Sequence, residues 1–381
     1  MARLTARAAF RDEIARLAKL IVDSEGVGFE EVEAGLRALT LEIVVGADAT
    51  TAAAHAAVLT AVAVGHRSFV GGVRVVGALD QPLNTALPLK GVTLGEAAAK
   101  VRAVSFEGQA SKRVSIGTAD DPEGSTVAAW CDGWRAGTSS QADARWGDAS
   151  NPLAGIAAGA LAVGVAFEAA RGGNGEVSRE VNLWDADATE AAPAFSEIFL
   201  PGALWLVGLG NLGQAYLWAL AALPCEDPKA VELVLQDPDR VSEENWSTSV
   251  LVHDETYGAL KTRVGEGWAE AKGFTVRRVD RRLRATDRLE DGDPRIALSG
   301  VDKIAARRQM AKVGFECIVD AGLGRTAADF DKFRINIFDA GYPIERHFAG
   351  MKDAAVAAVP DEEAYRELEA RIGPCGPVNR G

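Results

Sequence analysis

Gly208, Gly210 and Gly213 form the run Gly-Leu-Gly-Asn-Leu-Gly directly after the apolar segment Leu204-Trp205-Leu206-Val207 and directly before an Ala- and Leu-rich stretch. Where a strand, such a turn and a helix follow one another, the first two glycines allow a tight turn and close backbone approach. The third lets helix and strand pack, and the helix N-terminus attracts phosphate oxygens. Asp237 ends a second apolar segment, Val231 to Gln236, where a carboxylate can accept hydrogens from both ribose hydroxyls. Together these residues predict a nucleotide site between about Leu204 and Asp320, and they permit NAD or ATP.

The residues that follow distinguish the two. Asp237-x-Asp239-x-Val241 followed by Asn245 resembles the D-x-D-x-V-x-x-S-N motif of the ThiF-type family. That family includes the adenylyltransferases of thiamine and molybdopterin biosynthesis and the ubiquitin-activating enzymes. Gly258-Ala259-Leu260-Lys261 is similar to the family's G-x-x-K pattern, and Ile296 to Asp302 followed by Arg307 resembles its strand, Asp-Asn and helical Arg segment. The resemblance covers roughly Leu204 to Asp339. It departs from the family in two ways. Relatives place an arginine where this chain has Thr248, and many carry two CxxC pairs, whereas Cys131, Cys225, Cys317 and Cys375 lie far apart.

The resemblance implies ATP-dependent adenylation of the C-terminal carboxylate of a small ubiquitin-like or sulfur-carrier protein, with ATP and Mg2+ as cofactors. Gly208, Gly210 and Gly213 would cradle phosphate, Asp237 would take the ribose, and Asn245 and Lys261 would meet the phosphates, with Asp239 completing the cofactor-binding set. Lys261 and Asp302 would be the catalytic residues. Asp302 would hold the metal because a hard cation prefers carboxylate oxygen; the alternative is that Asp302 caps the helix after it. The arginine missing at Thr248 would come from the N-terminal half or from a second subunit in a homodimer or complex. Cys375 is a candidate thioester acceptor, which would bring in a conjugating enzyme. Two rival readings are an NAD(P)-dependent oxidoreductase and a catalytically degenerate nucleotide-binding scaffold.

The elements that must position these residues alternate strand and helix. The pattern predicts strands at Ala203 to Val207, Val231 to Gln236, Thr275 to Val279, Ile296 to Leu298 and Cys317 to Val319, and helices at Leu212 to Leu223, Ala259 to Lys272 and Asp302 to Val313. That alternation implies an α/β fold, a doubly wound Rossmann-like, mostly parallel sheet in the C-terminal half. The first half reads as a helix near Thr5 to Asp23, a strand Leu41 to Val45, a helix Thr50 to Val64, a strand near Ser68 to Val76 and a helix Pro152 to Ala170. This second α/β domain could be a degenerate copy of the first, by analogy with activating enzymes. Asp185 to Pro193 reads as the connector, dividing the chain into residues 1–190 and 191–381.

A length of 381 residues exceeds what one core usually fills, and 48% hydrophobic with 25% charged residues is an ordinary globular composition. A net charge of −13 argues against nucleic acid as a partner. The longest apolar run, Gly155 to Phe167, is short and dominated by Ala and Gly, which predicts a helix packed on protein rather than on lipid. Met1 to Val22 carries charges at helical intervals with no apolar core, so the expected location is the cytoplasm.

Overall fold

The computed structural model describes residues 10–102, 106–118, 126–140, 146–173, 177–187, 191–323 and 333–351. Cys375 lies outside them. The chain divides into two compact units. One takes the chain up to Glu33, Leu200–Trp218 and everything from Cys225; the other takes Ala34–Phe199 and Ala219–Pro224. The N-terminal helix α1 (Ala15–Glu25) therefore groups with the C-terminal half of the sequence. It is followed by α2 (Phe29–Ala38).

The second unit is built on β1 (Thr40–Val45), with β2 (Gly72–Gly77), β3 (Lys112–Ile116) and β4 (Val127–Asp132) parallel to it; β5 (Arg135–Ser140) pairs antiparallel with β4, and β6 (Arg179–Asn182) antiparallel with β5. The strand order is β2-β1-β3-β4-β5-β6. Helix α3 (Ala52–Ser68) follows β1 and runs beyond the expected Val64, so β2 begins only at Gly72. Between β2 and β3 lies the short α4 (Leu94–Lys100). Thr51 caps α3 by accepting the Ala54 amide at 3.1 Å. Asn151 caps α5 (Pro152–Ala170) by accepting the Leu153 amide at 3.0 Å, with Pro152 in the first turn where its missing N–H costs nothing.

Helix α5 has a mean hydropathy of 1.8, long and apolar enough by length and composition alone for a membrane crossing. It has the span expected from the sequence, and Ala154, Ala158, Ala162 and Val165 are buried against protein. Glycines permit that packing, because a Cβ on Gly155 or Gly159 would land on the carbonyl oxygens of Ala53 and Ala57 in α3. Gly159→Val is accordingly expected to destabilise this unit by about 3 kcal/mol or more, since neither helix backbone can yield to the added methyls. Urea unfolding of the full chain measures it, and a loss below about 1 kcal/mol would contradict the close helix contact.

In this unit the turn after β1 is filled by the protein's own groups. The Asp48 carboxylate accepts the Thr118 amide at 2.7 Å and its hydroxyl at 2.8 Å. Gln81 Nε2 donates to the Gly46 carbonyl at 3.2 Å, while its Oε1 faces Nε2 of buried His55 at 3.2 Å. The Asn84 amide donates to His55 Nδ1 at 2.9 Å, and burial lowers the His55 pKa.

The other unit contains β7 (Ala203–Val207), α6 (Asn211–Ala222) as far as Trp218, β8 (Glu232–Gln236), α7 (Lys261–Lys272), β9 (Thr275–Val279), β10 (Ile296–Ser299), α8 (Ile304–Met310), β11 (Cys317–Leu323), β12 (Phe333–Phe338) and α9 (Ile344–His347). The strand order is β12-β11-β10-β7-β8-β9, parallel except where β12 returns antiparallel to β11. This is the doubly wound sheet expected from the sequence. Trp205, Val207, Val234, Ala297, Ile318 and Phe338 point to one face and pack with Met310, Val313 and Phe348. On the other face Gly265 of α7 makes room for Leu217 and Leu235.

Three boundaries differ from expectation for identifiable reasons. β11 runs to Leu323 rather than Val319 because β12 pairs with it from Ile318↔Phe338 to Leu323↔Phe333. Helix α7 starts at Lys261 because Ala259 is bound into a short ladder, the Val241 amide donating to its carbonyl at 2.8 Å. Helix α8 starts at Ile304 with Lys303 at its N-cap position, so Asp302 is not its cap. Five arginines fall between positions 277 and 284, and three of them form ion pairs: Arg277 with Glu232 and Asp293, Arg278 with Glu266 and Asp280, and Arg281 with Asp287.

Candidate functional site

Strand order reverses about β7, whose neighbours β8 and β10 lead away in opposite directions. Crevices beyond the carboxyl ends of strands at such a switch point are where open α/β sheets bind ligands. The glycine run lies there. Gly208 adopts φ +87°, a conformation that disfavours side chains, and its amide donates to the Gln236 carbonyl at 2.9 Å. Gly213 packs so closely that a Cβ would meet the Gly208 carbonyl oxygen, while a Cβ on Gly210 would meet nothing within 4 Å. The first and third glycines are thus required by the protein's own packing, and the middle one faces open space where a ligand can approach the backbone.

Asp237 is buried at the end of β8, only 6% exposed. Its Oδ2 accepts the Leu209 amide at 2.7 Å and its Oδ1 accepts the Asp239 amide at 2.8 Å. Burial raises its pKa, opposed by the charge of Lys261 and by these two amides. The carboxylate therefore clamps the glycine loop, and each oxygen keeps a lone pair for a ribose hydroxyl.

Lys261 is brought to Asp239 by the same ladder that shortens α7. Its amide donates to the Asp239 carbonyl at 3.0 Å, and its Nζ lies 3.3 Å from Asp239 Oδ2. Gly258, at φ +78°, makes the turn into that ladder. Asn245 sits in a 3-10 turn, Glu243–Asn245, where its Oδ1 accepts from the Ser242 amide at 3.0 Å and the Ser242 hydroxyl at 3.2 Å. The structure gives Asn245 a turn-clamping role.

The Thr248 hydroxyl is buried with no hydrogen-bond partner. On the same turn Glu244, 7% exposed, receives Arg16 of α1 at 2.7 Å. Asp302 is exposed, in the turn between β10 and α8. The turn abuts the glycine loop, because the Gly300 amide donates to the Val207 carbonyl at 2.8 Å and Gly300 and Gly208 leave no room for side chains between them.

Among the described residues no three His, Cys, Asp or Glu side chains cluster to hold a metal. A single exposed carboxylate still fits Mg2+, which commonly takes one or two protein oxygens and completes its octahedron with phosphate and water.

Several contributors escaped the sequence reading. Buried Gln214 donates to the Leu209 carbonyl at 3.2 Å and accepts the Leu251 amide at 2.9 Å, and Ser249 Oγ donates to Asn211 Oδ1 at 2.8 Å. Both contacts tie the start of α6 to the Thr248–Leu251 loop. The only signal for them was position, directly after the glycine run.

Comparison with known proteins gives matches at two levels. A family model described as the BilD C-terminal domain matches residues 200–380, and one described as the BilD N-terminal domain matches residues 40–183. The bacterial E1-like protein BilD of Collimonas sp. (strain OK412) is 34% identical over 378 residues, covering 95% of this chain and 81% of that protein. Solved structures give a limited likeness of fold. Escherichia coli MccB with MccA-N7isoASN has a TM-score of 0.31 at 16% identity, covering 47% of this chain and 52% of that one. MccB with ATP has a TM-score of 0.27 at 18% identity, over 32% and 37%. The E. coli tRNA N6-threonylcarbamoyladenosine dehydratase TcdA has a TM-score of 0.25 at 16% identity, over 32% and 53%. The chain thus spans about a third to a half of the length of these solved chains.

Proposed function

This chain belongs to the BilD family of bacterial E1-like proteins, and we propose that it adenylates the C-terminal carboxylate of a small ubiquitin-like protein at the site between β7, β8 and β10. The observation that carries this reading is the joining of three sequence segments at one switch point. The glycine loop is clamped by Asp237, Lys261 is delivered by the Val241–Ala259 ladder, and the Asp302 turn is packed on Gly208.

In the proposed reaction a carboxylate oxygen of the carrier protein attacks the α-phosphorus of ATP. The new C–O–P bond forms as the bond to the β-phosphate oxygen breaks, and pyrophosphate leaves. The amides of the glycine loop and the N-terminus of α6 face the phosphates, Asp237 orients the ribose, and Lys261 neutralises phosphate charge after exchanging Asp239 for it. A magnesium ion held by Asp302 would offset charge on the departing pyrophosphate. Positioning and charge neutralisation supply most of the rate in such transfers.

The arginine absent at Thr248 is supplied, in this reading, by Arg16, already held on the neighbouring Glu244. The second unit plays the part of a non-catalytic partner domain. Its strand order is that of the first unit without the third strand and with one added antiparallel strand, and Asp48, Thr118 and Gln81 fill the turn where the first unit is open at Gly210.

Pyrophosphate exchange into ATP tests the proposal. With a small ubiquitin-like protein ending in Gly-Gly, exchange is expected to require both that protein and Mg2+. Exchange at background with every such carrier, from a protein that binds ATP, would reduce this chain to a nucleotide-binding scaffold.

A further inference from the structure

Beneath the turn that carries Asp302 lies a charge pair to which the proposed chemistry gives no part. Asp320 of β11 is fully buried, in register with Ser299 of β10 and opposite Asn336 of β12. Its Oδ1 accepts from Ser299 Oγ at 2.8 Å and from Arg307 Nε at 2.8 Å, while its Oδ2 is buried with no partner. Arg307, 4% exposed, sends its other nitrogens elsewhere: Nη1 to the Asp302 carbonyl at 2.9 Å and Nη2 to the Ala321 carbonyl at 3.4 Å.

This is a poor device for stability. A buried ion pair recovers little of its desolvation cost, apolar residues of the same shape usually serve as well, and an unpaired acceptor oxygen adds a further penalty. What apolar residues cannot do is hold a guanidinium by one edge and aim the rest of its fork at a backbone carbonyl in another segment. That carbonyl belongs to Asp302. Two residues earlier Gly300 packs directly on Gly208, so the orientation of the turn also sets one wall of the glycine loop.

We propose that Asp320 is a positioning residue. Acting through Arg307, it fixes the Gly300–Asp302 turn against the glycine loop and so presents the Asp302 carboxylate at the mouth of the switch point. The consequence for catalysis rests on the adenylation reading above; the positioning of the turn does not.

The test uses Asp320→Asn in the full-length protein, which keeps the shape and removes the charge. The first measurement is amide hydrogen exchange without nucleotide. Peptides spanning 300–307 are expected to exchange at least about tenfold faster, with those of β8 changed less than about twofold. The second is calorimetry with ATP, in which the gain in affinity on adding Mg2+ should fall about tenfold or more, as for other groups that orient a metal-binding residue. ATP affinity in excess chelator should stay within about threefold.

Arg307→Lys keeps the charge but loses the fork, and is expected to reproduce the local exchange change. Unchanged exchange at 300–307 in a folded Asp320→Asn protein overturns the proposal, whatever the nucleotide result. Uniform loosening of the whole sheet, or failure of both variants to fold, assigns the pair to stability and overturns it as well. Local loosening in a chain whose wild type binds no ATP upholds the positioning and removes the adenylation reading instead.

Discussion

Replacing Asp302 by alanine is expected to lower magnesium-dependent pyrophosphate exchange by about a hundredfold to a thousandfold, the scale seen when one charge-stabilising group is removed from a transfer site. Stability should change by less than about 0.5 kcal/mol, as for a surface substitution. The contrast follows from where Asp302 sits. It is exposed, the N-cap position of the helix that follows belongs to Lys303, and the hydrogen bond it receives from Arg307 goes to its backbone carbonyl, which alanine retains. Exchange assays and thermal melts on the same preparation check it. Undiminished exchange would remove Asp302 from the site, and a large fall in melting temperature would show a structural role that the geometry does not indicate.

Arg16→Ala is expected to cost two or more powers of ten in exchange, because one positive charge at a transferring phosphate carries that much rate. It should also cost stability of about 1–3 kcal/mol, since Glu244 is 7% exposed and would lose its guanidinium. The two effects are separable. Introducing Thr248→Arg into the Arg16→Ala protein puts a guanidinium back one turn away, at a position whose hydroxyl is buried without a partner, and should recover part of the exchange. Specific activity independent of protein concentration goes with an arginine supplied within the chain. Activity that falls on dilution, and survives Arg16→Ala, would place that arginine on a second copy.

The glycine run, Asp237 and the alternation of strand and helix were readable because each depends on local sequence. An apolar strand, a turn needing φ > 0 at Gly208 and a helix must follow one another without interruption, and Asp237 must end the next strand. The three-segment assembly around them was less visible. Lys261 was found by spacing, but its bond to Asp239 depends on a ladder between Val241 and Ala259 that has no strand-like pattern. The motif marks Asn245 as a phosphate contact; that its side-chain oxygen accepts from Ser242, leaving only the amide nitrogen as a donor for such a contact, was not readable.

Arg16, Gln214 and Asp320 could not be assigned from one sequence, because their partners lie 228, 37 and 13 or more residues away and nothing in their own neighbourhoods marks them. The return of β12 was hidden for a related reason. Phe-Arg-Ile-Asn-Ile-Phe alternates as a strand should, but nothing local sets its direction, and it is the antiparallel pairing that draws β11 out to Leu323.

Titration calorimetry of the full-length protein with ATP and Mg2+, set against NADH, bears most directly on the central claim. Contacts to the glycine loop and Asp237 would be common to both ligands. Only a triphosphate would engage the Lys261 and Asp302 segments that pack around that loop. The expected result is binding of ATP with Mg2+ and no measurable heat with NADH, with ATP binding lost in Gly210→Val, where the new side chain would occupy the open approach to the backbone. Micromolar binding of NADH with no response to ATP would contradict the claim.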